Sequence, residues 1–188
     1  MRAGSSANAG RFVAHESLRD AQGEMISDGI ASLGVGGFLL ASAPTGIGKT
    51  AAALAAAIEV ARGSTNPPVV MFLTGRQSQH KIVVDTVRKI NERLEPGVAK
   101  VRLVDLIGQQ GMCINEIRHE HRALFSRLCA EKRGTRTCKP WLADAGLIRP
   151  RILRDPLHVD ELVSMCKGHD EELPHGICPW KAARESVS

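Results

Sequence analysis

Over roughly the first hundred residues, apolar and polar positions alternate between two periods, one helical and one short and continuous. Across residues 16–33 the apolar side chains Leu18, Ala21, Met25, Ile26, Ile30 and Leu33 recur at helical spacing, which predicts an amphipathic helix. Gly34 and the pair Gly36-Gly37 stop it. Residues 38–43 form a short apolar run that enters a Gly-rich turn, and residues 50–62 form an Ala-rich helix with nothing to interrupt it. Pro67-Pro68 introduces a second buried-type strand over residues 69–74. A helix follows over residues 78–94, with Ile82, Val83, Val87, Ile90 and Leu94 on one face and Asp85, Arg88, Lys89 and Glu92 on the other, ended by Pro96-Gly97. Residues 101–107 supply a third strand. Strands alternating with helices predict a parallel sheet with crossover connections, the start of a doubly wound α/β domain.

Beyond Gly108 the β/α alternation stops, and the cysteines and helical stretches such as residues 114–132 and 158–166 replace it. The expected organisation is a Gly-, Ala- and Ser-rich disordered tail over residues 1–12, an α/β part over residues 13–108 and a small, mainly helical module over residues 109–188. A chain of 188 residues accommodates one ordinary domain with a core and one small attached module, but not two full-sized domains. A net charge of +5 favours anionic partners. That charge is uneven: residues 118–154 carry ten Lys/Arg against three Asp/Glu, and residues 155–172 six acids against one Lys. On its own such a pair of runs reads as two solvated faces. No run of 18 apolar residues and no apolar amino-terminal run is present, so the expectation is no membrane span, no secretory signal, and a cytoplasmic location, nuclear in a eukaryotic source. In that compartment five cysteines point to metal or redox chemistry rather than disulfides.

Ala43, Pro44, Thr45, Gly46, Ile47, Gly48, Lys49 and Thr50 match the phosphate-binding pattern G-x-x-x-x-G-K-[ST] everywhere but at the first position. Gly46 and Gly48 let backbone N–H groups turn toward phosphates, and the helix that begins near Lys49 directs its positive dipole end at them. Lys49 is placed to reach the β- and γ-phosphates of ATP, and the Thr50 hydroxyl to ligate Mg²⁺.

With Ala in the first position, the motif is similar to the form used by superfamily 2 helicases. Upstream, Arg19-Asp20-Ala21-Gln22 is similar to the R-x-x-Q element that such helicases set over the adenine. Downstream, the stretch from Phe72 through Thr74, Gly75, Arg76, Gln77, Ser78 and Gln79 to His80 resembles the motif that touches the DNA backbone. The cysteines narrow the resemblance. Cys113, Cys129, Cys138 and Cys178, the last followed by Pro179-Trp180, resemble the four-cysteine insertion of XPD-like iron–sulfur DNA helicases, particularly archaeal ones. That resemblance, running from Arg19 to Ser188, implies a P-loop NTPase (RecA-like) parallel sheet, incomplete here, followed by a four-cysteine iron–sulfur module. It implies Lys49 and Thr50 as catalytic residues, Gln22 on the adenine, and Thr74, Arg76 and Gln79 on DNA. It also implies one [4Fe-4S] cluster on the four cysteines, and single-stranded or forked DNA as partner.

Three departures stand out. Gln109 lies four residues before Cys113, where the family often carries a basic residue, and Cys166 is a fifth cysteine between the third and fourth matched ligands. The sequence also has no D-E-x-H, the element that holds Mg²⁺ and activates water, and none of the later helicase motifs. The expectation is therefore an amino-terminal fragment that binds ATP and DNA and hydrolyses little. The competing expectation is a stand-alone metal- or redox-responsive nucleic-acid-binding protein that uses ATP as a ligand. Cys166, His169, His175 and Cys178 offer a rival zinc grouping, although it leaves Cys113, Cys129 and Cys138 without a shared purpose. Four thiolates are the usual cluster ligands.

Overall fold

The computed structural model describes residues 11–66, 68–168 and 174–187. Residues 1–10 of the expected tail and His169 of the rival zinc grouping lie outside them. The chain divides into two compact units, Met1–Val101 and Arg102–Ser188.

The first unit is built from α1 (Asp20–Gly34), α2 (Lys49–Gly63) and α3 (Gln77–Arg93). The three amphipathic stretches read from the sequence therefore form helices, with ends shifted by a few residues. In α2 the buried positions Ala51, Ala52, Leu54, Ala55, Ala56, Ile58 and Ala61 run around most of the helix, because it packs against both α1 and α3. Small side chains allow that approach. Ile26 of α1 packs with Ala52 and Ala55 in one buried cluster, and Gly29 lies so near Ala56 that an added Cβ would fall 2.8 Å from the alanine methyl. From α3 come Val83, Val84, Val87 and Ile90.

The expected parallel sheet does not form: among the described residues no strand occurs, and the one β-bridge is isolated and parallel, Val104 to Leu157. The expected α/β fold is thus replaced by a helical one. The three apolar runs are present but find no ladder partner. In residues 69–73 exposure alternates at 67, 39, 75, 38 and 81% from Val69 to Leu73, and Phe38 and Leu40 are fully in solvent. A short apolar run is equally compatible with a core strand and with an unpaired segment, since the ladder that distinguishes them is non-local. Here the helices cover one another's apolar faces instead of a sheet.

The second unit contains α4 (Arg122–Gly134), α5 (Lys139–Leu142), α6 (Arg149–Arg154), α7 (Val159–Cys166) and α8 (Pro179–Val187), with 3₁₀ turns at Glu116–His119 and Ala145–Leu147. The single helical stretch read over residues 114–132 is therefore two elements. Its main core gathers Met112, Ile148, Ile152, Leu162, Ile177, Ala182 and Ala183 from α6, α7, α8 and the segments before them. The apolar run at 101–107 contributes the single bridge and a cap: buried Asp105 accepts from Val159 N–H at 2.9 Å, at the start of α7. A separate apolar cluster of Ile117, Phe125 and Cys129, with Cys113 and Leu128 against it, supports the region where the cysteines meet.

Candidate cluster cavity and phosphate turn

In the second unit, Cys113, Cys129, Cys138 and Cys178 line one partly open cavity of about 20 Å³. Each arrives on a different element. Cys113 follows the turn after Gly108, Cys129 projects from α4, Cys138 immediately precedes α5, and Cys178 immediately precedes α8. Cys178 is fastened there by its N–H, which donates to Pro140 O at 2.8 Å. Arg133 and Trp141 line the same cavity. The Arg133 guanidinium lies 4.9 Å from the centre of the Trp141 ring, and its Nε donates to Cys129 O at 3.2 Å.

The thiols feel one another. Burial pushes Cys113 up, with further lifting from Cys129 and Cys138, opposed by the Asn115 N–H and by Arg118. Burial also raises Cys129, against the pull of Arg133. Cys178 is pushed up to about 11 by burial, with Cys138 and Cys113 adding to it and the backbone N–H groups of Lys181 and Trp180 opposing. These N–H groups, with Asn115 N at 3.4 Å from Cys113 Sγ, are donors that favour thiolates once the protons leave. Cys166 is buried in the main core, outside the cavity lining, and burial pushes it up to about 12, with Cys178 adding to the shift. His175 of the rival grouping is exposed and 3.0 Å from Lys139 Nζ.

Among the described residues no three His, Cys, Asp or Glu side chains converge on a point that one metal ion could occupy. A lone zinc ion needs its sulfurs about 2.3 Å from a common centre. Cluster iron is ordinarily held by four cysteine thiolates, and four cysteines line this cavity. Gln109 also lines the cavity, and its amide nitrogen is shut off from solvent with no acceptor in reach. A sulfur-rich anionic group would supply one.

In the first unit the turn from Ala43 to Thr50 leads into α2. Gly46 and Gly48 hold φ of 89° and 86°, the left-handed region that glycine enters freely. Lys49 opens the helix, and its Nζ donates to Ala43 O and Pro44 O, each at 2.8 Å, so the cation is folded back over the turn. Thr45 is exposed, whereas Ile47 and Thr50 are half-buried. Gln22, 3% exposed, donates from Nε2 to Gly48 O at 3.2 Å and accepts from Arg19 N–H at 3.3 Å. The amide that the resemblance sets over adenine therefore braces the phosphate turn. Thr74, Arg76 and Gln79 gather at the start of α3: Thr74 Oγ1 is hydrogen-bonded to the Gln79 side chain and accepts from Arg76 N–H. Arg76 and Gln79 are exposed there.

No family model, curated protein or solved structure matches the chain.

What the two sites can do thus rests on their own chemistry. Sequence reasoning grouped the four cysteines by order and flanks, but it did not single out Arg133 or Trp141 as their neighbours. A signal was available for Arg133, which stands one helical turn after Cys129 and so shares its face. Among the described residues no helix is long and apolar enough to cross a membrane.

Proposed function

We propose that this chain is an iron–sulfur protein that binds ATP and single-stranded or forked DNA, acting as the nucleotide- and cluster-bearing part of an XPD-like DNA helicase in the cytoplasm, or in the nucleus of a eukaryote. The observation that carries this reading is the meeting of Cys113, Cys129, Cys138 and Cys178, from four separate segments, around one cavity that excludes Cys166. Those four thiolates would hold the cluster, which when bound supplies a rigid cross-link between the segments and a one-electron redox centre. At the other site Lys49 would exchange its two carbonyl partners for phosphate oxygens of ATP, and Thr50 would face Mg²⁺. Thr74, Arg76 and Gln79 would meet the DNA backbone, with Arg76 supplying the charge. Hydrolysis would be slow, because the sequence carries no D-E-x-H carboxylates.

Anaerobically purified protein should be brown and carry about four iron per chain. Serine at any one of the four cavity cysteines should cost the colour, while Cys166→Ser keeps it. Zinc in place of iron, or bleaching by Cys166→Ser with Cys113→Ser harmless, would overturn the cluster. For the phosphate turn, Lys49→Ala should weaken ATP binding by about 1–3 kcal/mol, the scale of a charge-assisted contact. Equal affinity by titration calorimetry would remove that site.

The helical first unit, with its apolar runs unladdered, favours a second reading in which ATP is only a ligand of a redox-responsive nucleic-acid-binding protein. DNA affinity that follows the oxidation state of the cluster, without ATP-dependent strand separation, would select it.

A further inference from the structure

Among the side chains around the cysteine cavity, nearly every polar group is already committed. Arg133 donates to Cys129 O and covers Trp141. The Asn115 carboxamide oxygen accepts from Ile117 N–H and caps the following 3₁₀ turn. The neighbouring Gln110 donates to the carbonyls of Arg118 and Glu120, at 3.1 and 2.7 Å. Gln109 is different. Its side chain lines the cavity together with Cys113, Cys129, Cys138 and Cys178, and its Nε2 is buried and meets no acceptor, the one such side-chain atom among the described residues. Leaving a buried donor unsatisfied costs about 1–3 kcal/mol, a cost the folded chain carries unless something bound in the cavity accepts the bond. Four thiols line the cavity, so sulfur is an acceptor that it presents.

We propose that the Gln109 amide donates an N–H···S hydrogen bond to a sulfur of the bound cluster and, as a positioning residue, sets its reduction potential. This rests on the cluster reading above. The physical consequence has a definite sign. A reduced cluster carries one more negative charge than an oxidised one, so its sulfurs accept a hydrogen bond more strongly. Donation from Gln109 therefore stabilises the reduced form and raises the midpoint potential. Gln109 is neutral, so it does this without adding a buried charge that would need its own partner.

The test uses the full chain, anaerobically loaded, in four forms: parent, Gln109→Leu, Gln109→Glu and Gln109→Lys. Iron per chain is measured first, then the midpoint potential by optical redox titration with the reduced state followed by electron paramagnetic resonance. Leucine removes the donor at similar size, glutamate replaces it with an acceptor, and lysine restores a donor with a charge. The expected order of potentials is Lys above parent, parent above Leu, and Leu above Glu. Equal potentials in loaded forms would overturn the proposal. So would loss of iron in some variants with the parent potential in those that stay loaded, because that pattern belongs to a residue that only fills space. A parent chain that never holds iron would instead sink the cluster reading itself.

Discussion

Gly48→Ala and Gln22→Ala, made singly and together, probe how the phosphate turn is held. Alanine at Gly48 meets two penalties. Its backbone must keep a φ of 86°, which costs an L-residue about 1–2 kcal/mol. Its Cβ would also lie 2.5 Å from Gln22 Nε2, so the amide must move and give up its bond to Gly48 O. For a side chain only 3% exposed, that loss adds about 1–2 kcal/mol. Gly48→Ala should therefore cost about 2–4 kcal/mol in the parent, and only the backbone part of about 1–2 kcal/mol once Gln22 is already alanine. The difference is a coupling of about 1–2 kcal/mol, measurable by a double-mutant cycle. Fluorescence is blind to this transition, because both tryptophans, Trp141 and Trp180, lie in the second unit and the chain has no tyrosine. Hydrogen exchange of α1 and α2 amides, read by mass spectrometry, reports the opening locally. An equal cost of Gly48→Ala in both backgrounds would refute the picture of Gln22 braced against the turn.

Ile26→Ala should destabilise the first unit by about 2–5 kcal/mol by emptying its place in the buried cluster with Ala52 and Ala55, seen as faster exchange across α1 and α2 together; a change under about 1 kcal/mol would refute that packing. Asp105→Ala should loosen α7 by about 1–3 kcal/mol, because the buried N–H of Val159 loses its acceptor, and its exchange protection should fall first. In the cluster-free chain, the thiols of Cys178 and Cys166 are held near 11 and 12 by burial, against 9.0 in the open chain. Above pH 9 the unfolded chain thus binds fewer protons than the folded one, so urea midpoints should stay flat up to that point and decline as pH rises toward 11. A rising midpoint across that window would contradict the burial of these thiols. Iodoacetamide at pH 8 should correspondingly label Cys166 last.

The helices of the first unit were legible because their signal is local: Met25, Ile26 and Ile30, or Val83, Val87 and Ile90, declare a face within two or three turns. The sheet was misread for the opposite reason. Nothing within residues 69–74 says whether a second strand comes to lie beside them. Short helices α5, α6 and α8 carried a signal that the apolar pattern does not contain, a proline in the first turn at Pro140, Pro150 and Pro179, where the missing N–H would have had no helical partner anyway. The four cavity cysteines could be grouped by their order and by the Cys178-Pro179-Trp180 flank. Their irregular spacing gave no geometric clue, because α4, α5 and α8 bring them together only in three dimensions. Gln109 was visible as a departure from the family pattern, yet its buried, unanswered amide exists only in the folded unit.

The route by which Cys178 reaches the cavity fixes an order of assembly. The loop from Cys113 to Cys178 encloses most of the second unit, and its closing contact is the bond from Cys178 N–H to Pro140 O at the head of α8. During synthesis Cys113, Cys129 and Cys138 emerge early and close together along the chain, while their fourth companion waits until α6 and α7 have been made. A nascent chain halted before Cys178 would thus carry three of the four cavity thiols, Cys113, Cys129 and Cys138, without their companion. On the proposed reading, cluster loading waits for the synthesis of α6 and α7, because the fourth ligand lies beyond them along the chain.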